Sequence, residues 1–387
     1  MQFPRFRRSD KGSYELLPTD SVSAVKVFKR SGMARPCKLL ASILVVASLC
    51  INFFFIFASA PPPVPPPEPE PQPHNPDLRP NPVDRYQALH HFPVIDEAWG
   101  HVPLNRKEHA VVTVLTDDAF ASAVATLGHS IRKANITARL IMLYLPEFVS
   151  ETSLCVATAS GFVPQPVPRI APPEGVNGHF AETFTKLHMW KLDQKGVKSL
   201  VYLDADTLVR RNFDELFSLP FNFAAVPDVY LDDRGFTLGF NSGIMYIRPS
   251  TAVYEDMVAK IYTADYPRWE ADQAFLNIYF GNEVIRLPYA YNGNLAMKWR
   301  AGRMWKETQN EQRIVHFTLT KPFVGEGYSA IPIEDMEKHV MEVADQSWEG
   351  AFGKEMRWWR EMFSEMRQEF GEELNLCYHR SRSQWLP

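Results

Sequence analysis

The chain has 387 residues, of which 45% are hydrophobic and 22% charged, proportions of a packed globular protein rather than a disordered, collagen-like or multi-span membrane chain. A formal charge of −4 carries no basic excess and argues against nucleic acid as a partner. Four cysteines are too few for a disulfide-scaffolded mini-domain, and the one unusual count is 31 prolines.

Residues 1–38 hold nine Lys/Arg against three acids, a charge of +6, so the rest of the chain carries −10. Residues 39–60 (LLASILVVASLCINFFFIFASA) contain no charge, and at ~1.5 Å per helical residue they match a hydrocarbon core ~30 Å thick. A cleaved signal peptide is the rival reading, but its apolar region is normally ~7–15 residues long and close to the N-terminus. A stable anchor is therefore expected. The basic flank places the N-terminus in the cytoplasm and the bulk of the chain in a lumen. Residues 61–82 contain twelve prolines. They are expected to form an extended polyproline II stalk, a ligand for a proline-reading domain being the alternative. Cys37 sits at the cytoplasmic boundary of the anchor and Cys50 inside it. Cys155 and Cys377 are lumenal, where one disulfide is permitted but not established by two cysteines alone. Asn135-Ile136-Thr137 fits a glycosylation acceptor, a short motif that also arises by chance.

From His109 onward short apolar runs alternate with helical patterns. Strands are expected at 110–115 (AVVTVL), 139–145 (RLIMLYL) and 199–203 (SLVYL), with a short one within 163–173, another opened by Phe240 and a last at 313–317 (RIVHF). Helices are expected over 119–134, through Phe180, Phe184, Leu187 and Trp190, and from Glu270 through Phe275, Leu276 and Tyr279. Such alternation implies βαβ units and a mainly parallel sheet, in which ligands bind beyond the carboxyl ends of strands. Residues 334–370 are rich in Met, Trp, Arg and Glu at helical spacing. They read as helices packed on the domain, with an acceptor-binding surface or a homodimer contact as alternatives.

Chemistry-bearing residues cluster at the strand ends. Asp204-Ala205-Asp206 directly follows an apolar strand, where a turning backbone lets both carboxylates converge on one cation. Hard carboxylate oxygens suit Mg²⁺ or Mn²⁺, which also bind phosphate oxygens. A solvated acidic turn or a helix cap at Asp206 is the alternative. Thr116-Asp117-Asp118 follows the first strand of the body. Asn241-Ser242-Gly243 opens a strand with a glycine that permits close backbone approach to a ligand, a plain turn being equally consistent. Asp272-Gln273 begins a helix, as caps or as substrate contacts. His316 ends a strand and is followed by Lys321, a pairing that fits a ligand and a phosphate clamp.

In this order, VTVLTDDAF, TFTKLHMWKL, LVYLDADTLVRRNFDELF, AAVPD, FNSGIMYIRPS, ADQAFLN and IVHFTLTKPF resemble the family 8 glycosyltransferases, a retaining family that includes glycogenin and galactinol synthase. The resemblance runs from about residue 109 to 325. It implies an α/β fold, a single Rossmann-like nucleotide-sugar-binding domain of GT-A type with a mixed, mainly parallel sheet. It also implies a UDP-sugar donor, a carbohydrate or glycoconjugate acceptor and a divalent metal, usually Mn²⁺ (or Mg²⁺), at a DXD motif.

By the same resemblance Asp204, Asp206 and His316 are metal ligands. Thr116, Asp117 and Phe120 match the uridine-contact segment, and Lys186, Ala205 and Lys321 the donor site, Lys321 at the diphosphate. Asp228, Asn241, Ser242, Gly243, Asp272 and Gln273 match sugar- and acceptor-side positions. Retention arises either by double displacement, with Asp272 or Gln273 as the nearest nucleophile, or by same-face attack, towards which the reading leans. Trp269 stands where the family often has an aspartate. Residues 291–305 have no tyrosine in their interior, where a self-glucosylating homologue carries its acceptor.

The expected organisation is a cytoplasmic tail (1–38), a transmembrane signal anchor (39–60), a stalk (61–100), a catalytic domain (101–333) and a C-terminal helical region (334–387). A Golgi or other secretory-pathway membrane is the expected location. An inactive nucleotide-sugar-binding protein of the same fold and a metal-dependent phosphohydrolase are the competing functions.

Overall fold

The computed structural model describes residues 6–8, 14–16, 105–229 and 238–383. Near the N-terminus β1 (Phe6–Arg8) pairs antiparallel with β2 (Tyr14–Leu16). The expected anchor and stalk lie outside the described residues. Among the described residues no helix is long and apolar enough to cross a membrane.

The described residues from 105 onward form one unit, built on the alternation that the sequence predicts. β3 (His109–Leu115), β4 (Arg139–Tyr144), β5 (Val163–Pro166), β6 (Ser199–Leu203), β8 (Phe223–Pro227), β9 (Phe240–Ile247) and β10 (Ile285–Arg286) make a seven-stranded sheet in the order β10-β8-β9-β6-β3-β4-β5. The pairs β10–β8, β6–β3, β3–β4 and β4–β5 are parallel, while β9 runs antiparallel to both β6 and β8. The central strands are buried on both faces, which explains their nearly unbroken apolar runs. Along β3 alternate residues serve two cores. Val111 and Leu115 pack on one side, Ala110 and Val112 on the other, as the two-residue period of a strand requires.

α1 (Ala121–Lys133) covers one face together with the C-terminal helices α7 (Met336–Gln346) and α8 (Gly353–Glu369). Val340, Met356, Trp359, Phe363 and Met366 are fully or almost fully buried in this core, so the C-terminal region packs on the domain as expected. The opposite face is covered by residues 183–195 and by α3 (Thr251–Lys260) and α4 (Ala271–Phe280). The predicted helix through Phe184 is wound as a 3₁₀ helix, Thr183–Lys195, and Phe180 falls outside it. Its apolar anchors Phe184, Leu187 and Trp190 are spaced by three, the number of residues in a 3₁₀ turn, so that winding aims all three at the sheet.

A small second sheet decides where the site forms. β7 (Thr207–Val209) follows the Asp pair, and β12 (Ile314–His316) runs antiparallel to it and parallel to β11 (Gly293–Asn294). The predicted strand at 313–317 is therefore real, but it belongs to this sheet rather than to the main one.

Cys155 on α2 (Glu151–Thr158) and Cys377 on α9 (Gly371–Ser383) form a disulfide with a Cα–Cα distance of 5.5 Å, closing 222 residues. Loop-closure entropy for so long a segment amounts to about 5 kcal/mol in the unfolded chain. Cys377→Ser is accordingly expected to lower stability by about 2–5 kcal/mol. Chemical denaturation of the oxidised wild type against the variant measures this, and an unchanged midpoint would rule the bond out as a structural tie.

Candidate active site and metal centre

The site grows from the carboxyl end of β6. The strand stops at Leu203, and the amide of Asp204 donates to the carbonyl of Gly243 on the neighbouring β9 (2.8 Å). Thr207 then turns the chain, its amide and hydroxyl both donating to the Asp204 carbonyl, at 3.1 and 2.7 Å. The turn into β7 removes the opposite facing that an extended strand would impose on residues two apart, so Asp204 and Asp206 approach the same point.

His316 reaches them through strand register. It stands opposite Thr207 in the β12–β7 pair, and the next amide, that of Phe317, donates to the Asp206 carbonyl at 2.9 Å. His316 Nε2 lies 3.2 Å from Asp206 Oδ1 and 3.8 Å from Asp204 Oδ2. One ligand atom from each of the three side chains falls within 4.8 Å of the others.

Three features of the centre fit a divalent cation. Two carboxylates and an imidazole are a donor set that can hold a divalent cation. His316 turns Nε2 toward both aspartates and its buried Nδ1 toward Gly243. Gly243 leaves the floor open: a Cβ there would meet the Cε1 of His316, Asp204 Oδ2 at 2.8 Å and His316 Nδ1 at 2.9 Å.

Two buried lysines flank the centre. Lys321 Nζ pairs with Asp206 Oδ2 and donates to the Phe317 carbonyl at 3.3 Å. Lys186 Nζ lies 2.8 Å from Asp272 Oδ2 and 3.4 Å from Asp204 Oδ1, over the ring of Tyr202. Burial pulls Lys186 and Lys321 down, but the carboxylates outweigh it and hold both above the ordinary lysine range. Burial pushes Asp206 up, yet the positive charges of Lys321 and His316 hold its carboxyl well below the usual carboxylate range.

A second network holds the start of α4. Ser242 Oγ donates to Asp272 Oδ2 at 2.9 Å. Gln273 Oε1 accepts from the Ser242 amide and from Asn241 Nδ2, and its Nε2 donates to Asp228 Oδ2 at 3.0 Å. Asn241 Oδ1 accepts from the Gly243 amide and from Asn292 Nδ2. Ala271, just before Asp272, has φ of +50° in a buried position. That backbone is costly for a residue with a Cβ, and it sits where the chain must present Asp272 to Lys186. Gln273 thus spends both ends of its amide on orientation, while Asp272 stands as a carboxylate held by a lysine and a hydroxyl.

The expected site residues divide as follows. Asp204, Asp206, His316, Lys186, Lys321, Ser242, Gly243 and Asp272 come together around one centre. Ala205 is buried between the two aspartates. Asn241, Gln273 and Asp228 form the adjoining network. Thr116 and Phe120 lie at the carboxyl end of β3, where Phe120 packs edge-on against Phe323 two residues beyond Lys321. The exposed Asp117 accepts from the Ala119 amide at 2.7 Å, acting as the cap of a short 3₁₀ turn.

Sequence reading missed Tyr202, Asn292 and Asn294. The Tyr202 hydroxyl donates to Asp204 Oδ1 at 2.5 Å, and burial together with the Asp204 charge pushes its phenol well above the ordinary value. Its place two residues before Asp204 was the available signal. Asn294 accepts from the Thr318 hydroxyl at 2.6 Å and caps α5 (Leu295–Arg300). A polar pair around Gly293 inside an apolar stretch was the only sign of these two.

Residues 180–323 match the model of Glycosyl transferase family 8. Glycogenin of Neurospora crassa is 30% identical over 229 residues, covering 57% of this chain and 32% of that protein. Inositol phosphorylceramide glucuronosyltransferase 1 of Arabidopsis thaliana is 30% identical over 233 residues, covering 54% of this chain and 41% of that one. The chain thus spans less than half the length of these two curated relatives. The solved glycosyltransferase GlyE of Streptococcus pneumoniae TIGR4 is 18% identical with a TM-score of 0.45, over 71% of this chain and 64% of that one. Asp204, Asp206, His316 and both lysines fall inside the segment that is similar to Glycosyl transferase family 8, on an α/β fold with a mixed, mainly parallel sheet.

Proposed function

We propose that this protein is a metal-dependent retaining glycosyltransferase that moves a sugar from a UDP-sugar to a glycan, glycoconjugate or polyol acceptor in the secretory pathway. The observation that carries the reading is the convergence of Asp204, Asp206 and His316, from segments over a hundred residues apart, between two buried lysines.

Asp204, Asp206 and His316 would hold Mn²⁺ or Mg²⁺, which supplies Lewis-acid neutralisation of a diphosphate leaving group. The chain's own residues do the rest. Lys321 places a preorganised positive charge where the β-phosphate becomes more negative as the glycosidic bond breaks. Lys186 adds a second on the sugar side, and such fixed charges in a water-poor site contribute several kcal/mol to the transition state. Thr116, Asp117 and Phe120 would meet the uridine. Asp228, Asn241 and Gln273 form a rigid acceptor-and-donor edge suited to sugar hydroxyls, with Asp272 fixed beside them. The acceptor's hydroxyl proton has a local base in the departing phosphate, consistent with same-face attack. Asp272, the better oriented of the two candidate nucleophiles, is the alternative.

The uncharged run at 39–60 and its basic flank support a type II membrane anchor with a lumenal, Golgi-type domain. The Cys155–Cys377 bond supports the same oxidising compartment.

The test is incubation of the purified chain with Mn²⁺ and UDP-glucose, UDP-galactose, UDP-N-acetylglucosamine or UDP-glucuronic acid, following released UDP. Release from at least one donor, abolished by a chelator, is expected. Donor binding without turnover would indicate an inactive binding protein, and cleavage of sugar-free phosphoesters a hydrolase.

A further inference from the structure

Asp204 and Asp206 are held unequally. The Asp206 side chain is 8% exposed and is gripped by His316 and Lys321. The Asp204 side chain is 29% exposed, so packing alone does not fix the rotation of its carboxylate, a torsion that is intrinsically broad. Its orientation has to come from the donors around it, and the nearest of these is Tyr202.

Strand geometry puts the phenol there. The amide of Asp204 still bonds to Gly243 across the sheet (2.8 Å). The two-residue alternation of β6 therefore persists to this point, and Tyr202 and Asp204 project from the same face. Tyr202 stands opposite Val112 of β3 and Met245 of β9 and is almost fully buried. A phenylalanine would fill this apolar core with no polar atom to desolvate, whereas a buried phenol needs a partner. That partner is Asp204 Oδ1, at 2.5 Å. The same ring lies under Lys186, whose Nζ is 5.2 Å from its centroid.

The two oxygens of Asp204 thereby have separate tasks. Oδ1 accepts from the Tyr202 hydroxyl and faces Lys186 Nζ at 3.4 Å, a lysine that lies closer to Asp272 (2.8 Å). Oδ2 is 3.8 Å from His316 Nε2, on the open side of Gly243, where a Cβ would stand 2.8 Å from it. A carboxylate held in this way offers one oxygen to a cation. Small ions such as Mg²⁺ and Mn²⁺ favour octahedral sets, whereas Ca²⁺ is larger, adapts its geometry and takes a carboxylate through one oxygen or both.

We propose that Tyr202 is a positioning residue of the metal centre: its hydroxyl fixes Asp204 Oδ1, so that Oδ2 alone faces the cation and the site favours a small divalent ion over Ca²⁺. The inference rests on the metal-centre reading above, and Tyr202 itself supplies no ligand atom to the cluster.

The full-length chain, with UDP present, is titrated with Mn²⁺ while the free ion is followed by electron paramagnetic resonance, and Ca²⁺ is measured by competition. The wild type is expected to prefer Mn²⁺. Tyr202→Phe should weaken Mn²⁺ binding about tenfold or more, the scale of loss when the supporting partner of a ligand is removed. Ca²⁺ binding should fall by a smaller factor, so that the preference narrows, with thermal melts showing that the variant folds. A variant that binds Mn²⁺ like the wild type would overturn the proposal. Equal losses for both ions would do the same, since a site merely loosened behaves that way. A wild type that holds Ca²⁺ as tightly as Mn²⁺ overturns it without any variant. Failure of the wild type to bind Mn²⁺ at all would overturn the metal centre itself, whereas intact wild-type binding with an unaffected Tyr202→Phe counts against the tyrosine alone.

Discussion

Asp206→Asn is expected to lower UDP-sugar turnover at least a thousandfold, equivalent to about 4 kcal/mol of transition-state stabilisation. The substitution keeps the size of the side chain but removes the charge that faces both His316 and Lys321. Metal affinity should fall with it, because a neutral amide is a poor partner for a hard dication. A folding effect accompanies the catalytic one. Removing one member of a buried pair strands the other, here Lys321, at a cost of about 3–5 kcal/mol.

The sign of its pH dependence follows from the depressed folded-state value of Asp206. Its stabilising contribution is complete above the ordinary carboxylate pKa and is lost as pH falls through that depressed value, deep in the acid range. The variant should therefore be less stable than wild type at neutral pH, with the difference shrinking in acid. Steady-state UDP release, Mn²⁺ titration and thermal melts at several pH values measure the three effects. Wild-type turnover in Asp206→Asn would remove the aspartate from the metal centre.

Gly243→Ala should lower turnover about a hundredfold or more, although no polar atom is lost. The new Cβ would overlap the imidazole of His316 and crowd Asp204, at a point of β9 where the Asp204 amide donates to the Gly243 carbonyl and the register with β8 shifts. The imidazole must give way, and a shift of about 1 Å in a catalytic group is enough for a loss of that size. Mn²⁺ affinity is the discriminating readout. It should weaken in Gly243→Ala while the thermal transition remains cooperative. Unchanged affinity would show that the ligands tolerate the methyl group, and that Gly243 only ends a turn.

Which parts of this molecule are legible in the sequence follows from the range of the interactions involved. The strands at 109–115, 139–144, 199–203 and 240–247 are announced by continuous apolar runs, because a strand buried on both faces leaves no room for polar residues. The Asp-x-Asp at the end of β6 is legible for a related reason, since two charges directly after such a run need a local purpose. The 3₁₀ winding of 183–195 is not announced, because Phe180, Phe184, Leu187 and Trp190 recur at a spacing that an α-helix also satisfies.

What the sequence leaves open is decided at long range. His316 acquires its role from the antiparallel pairing of β12 with β7, and the two segments lie too far apart for any local pattern to specify their register. Lys186 is marked in the sequence only by resemblance, and folding sets it between Asp204 and Asp272. Gly243 reads as a turn glycine, whereas its lack of a side chain serves an imidazole that arrives 73 residues later along the chain. Local composition determined the elements and the chemistry available at their ends. The side chains that share a cation, and the bond between Cys155 and Cys377, were fixed only by sheet register and helix packing, because only the folded chain brings those atoms within a few ångströms of one another.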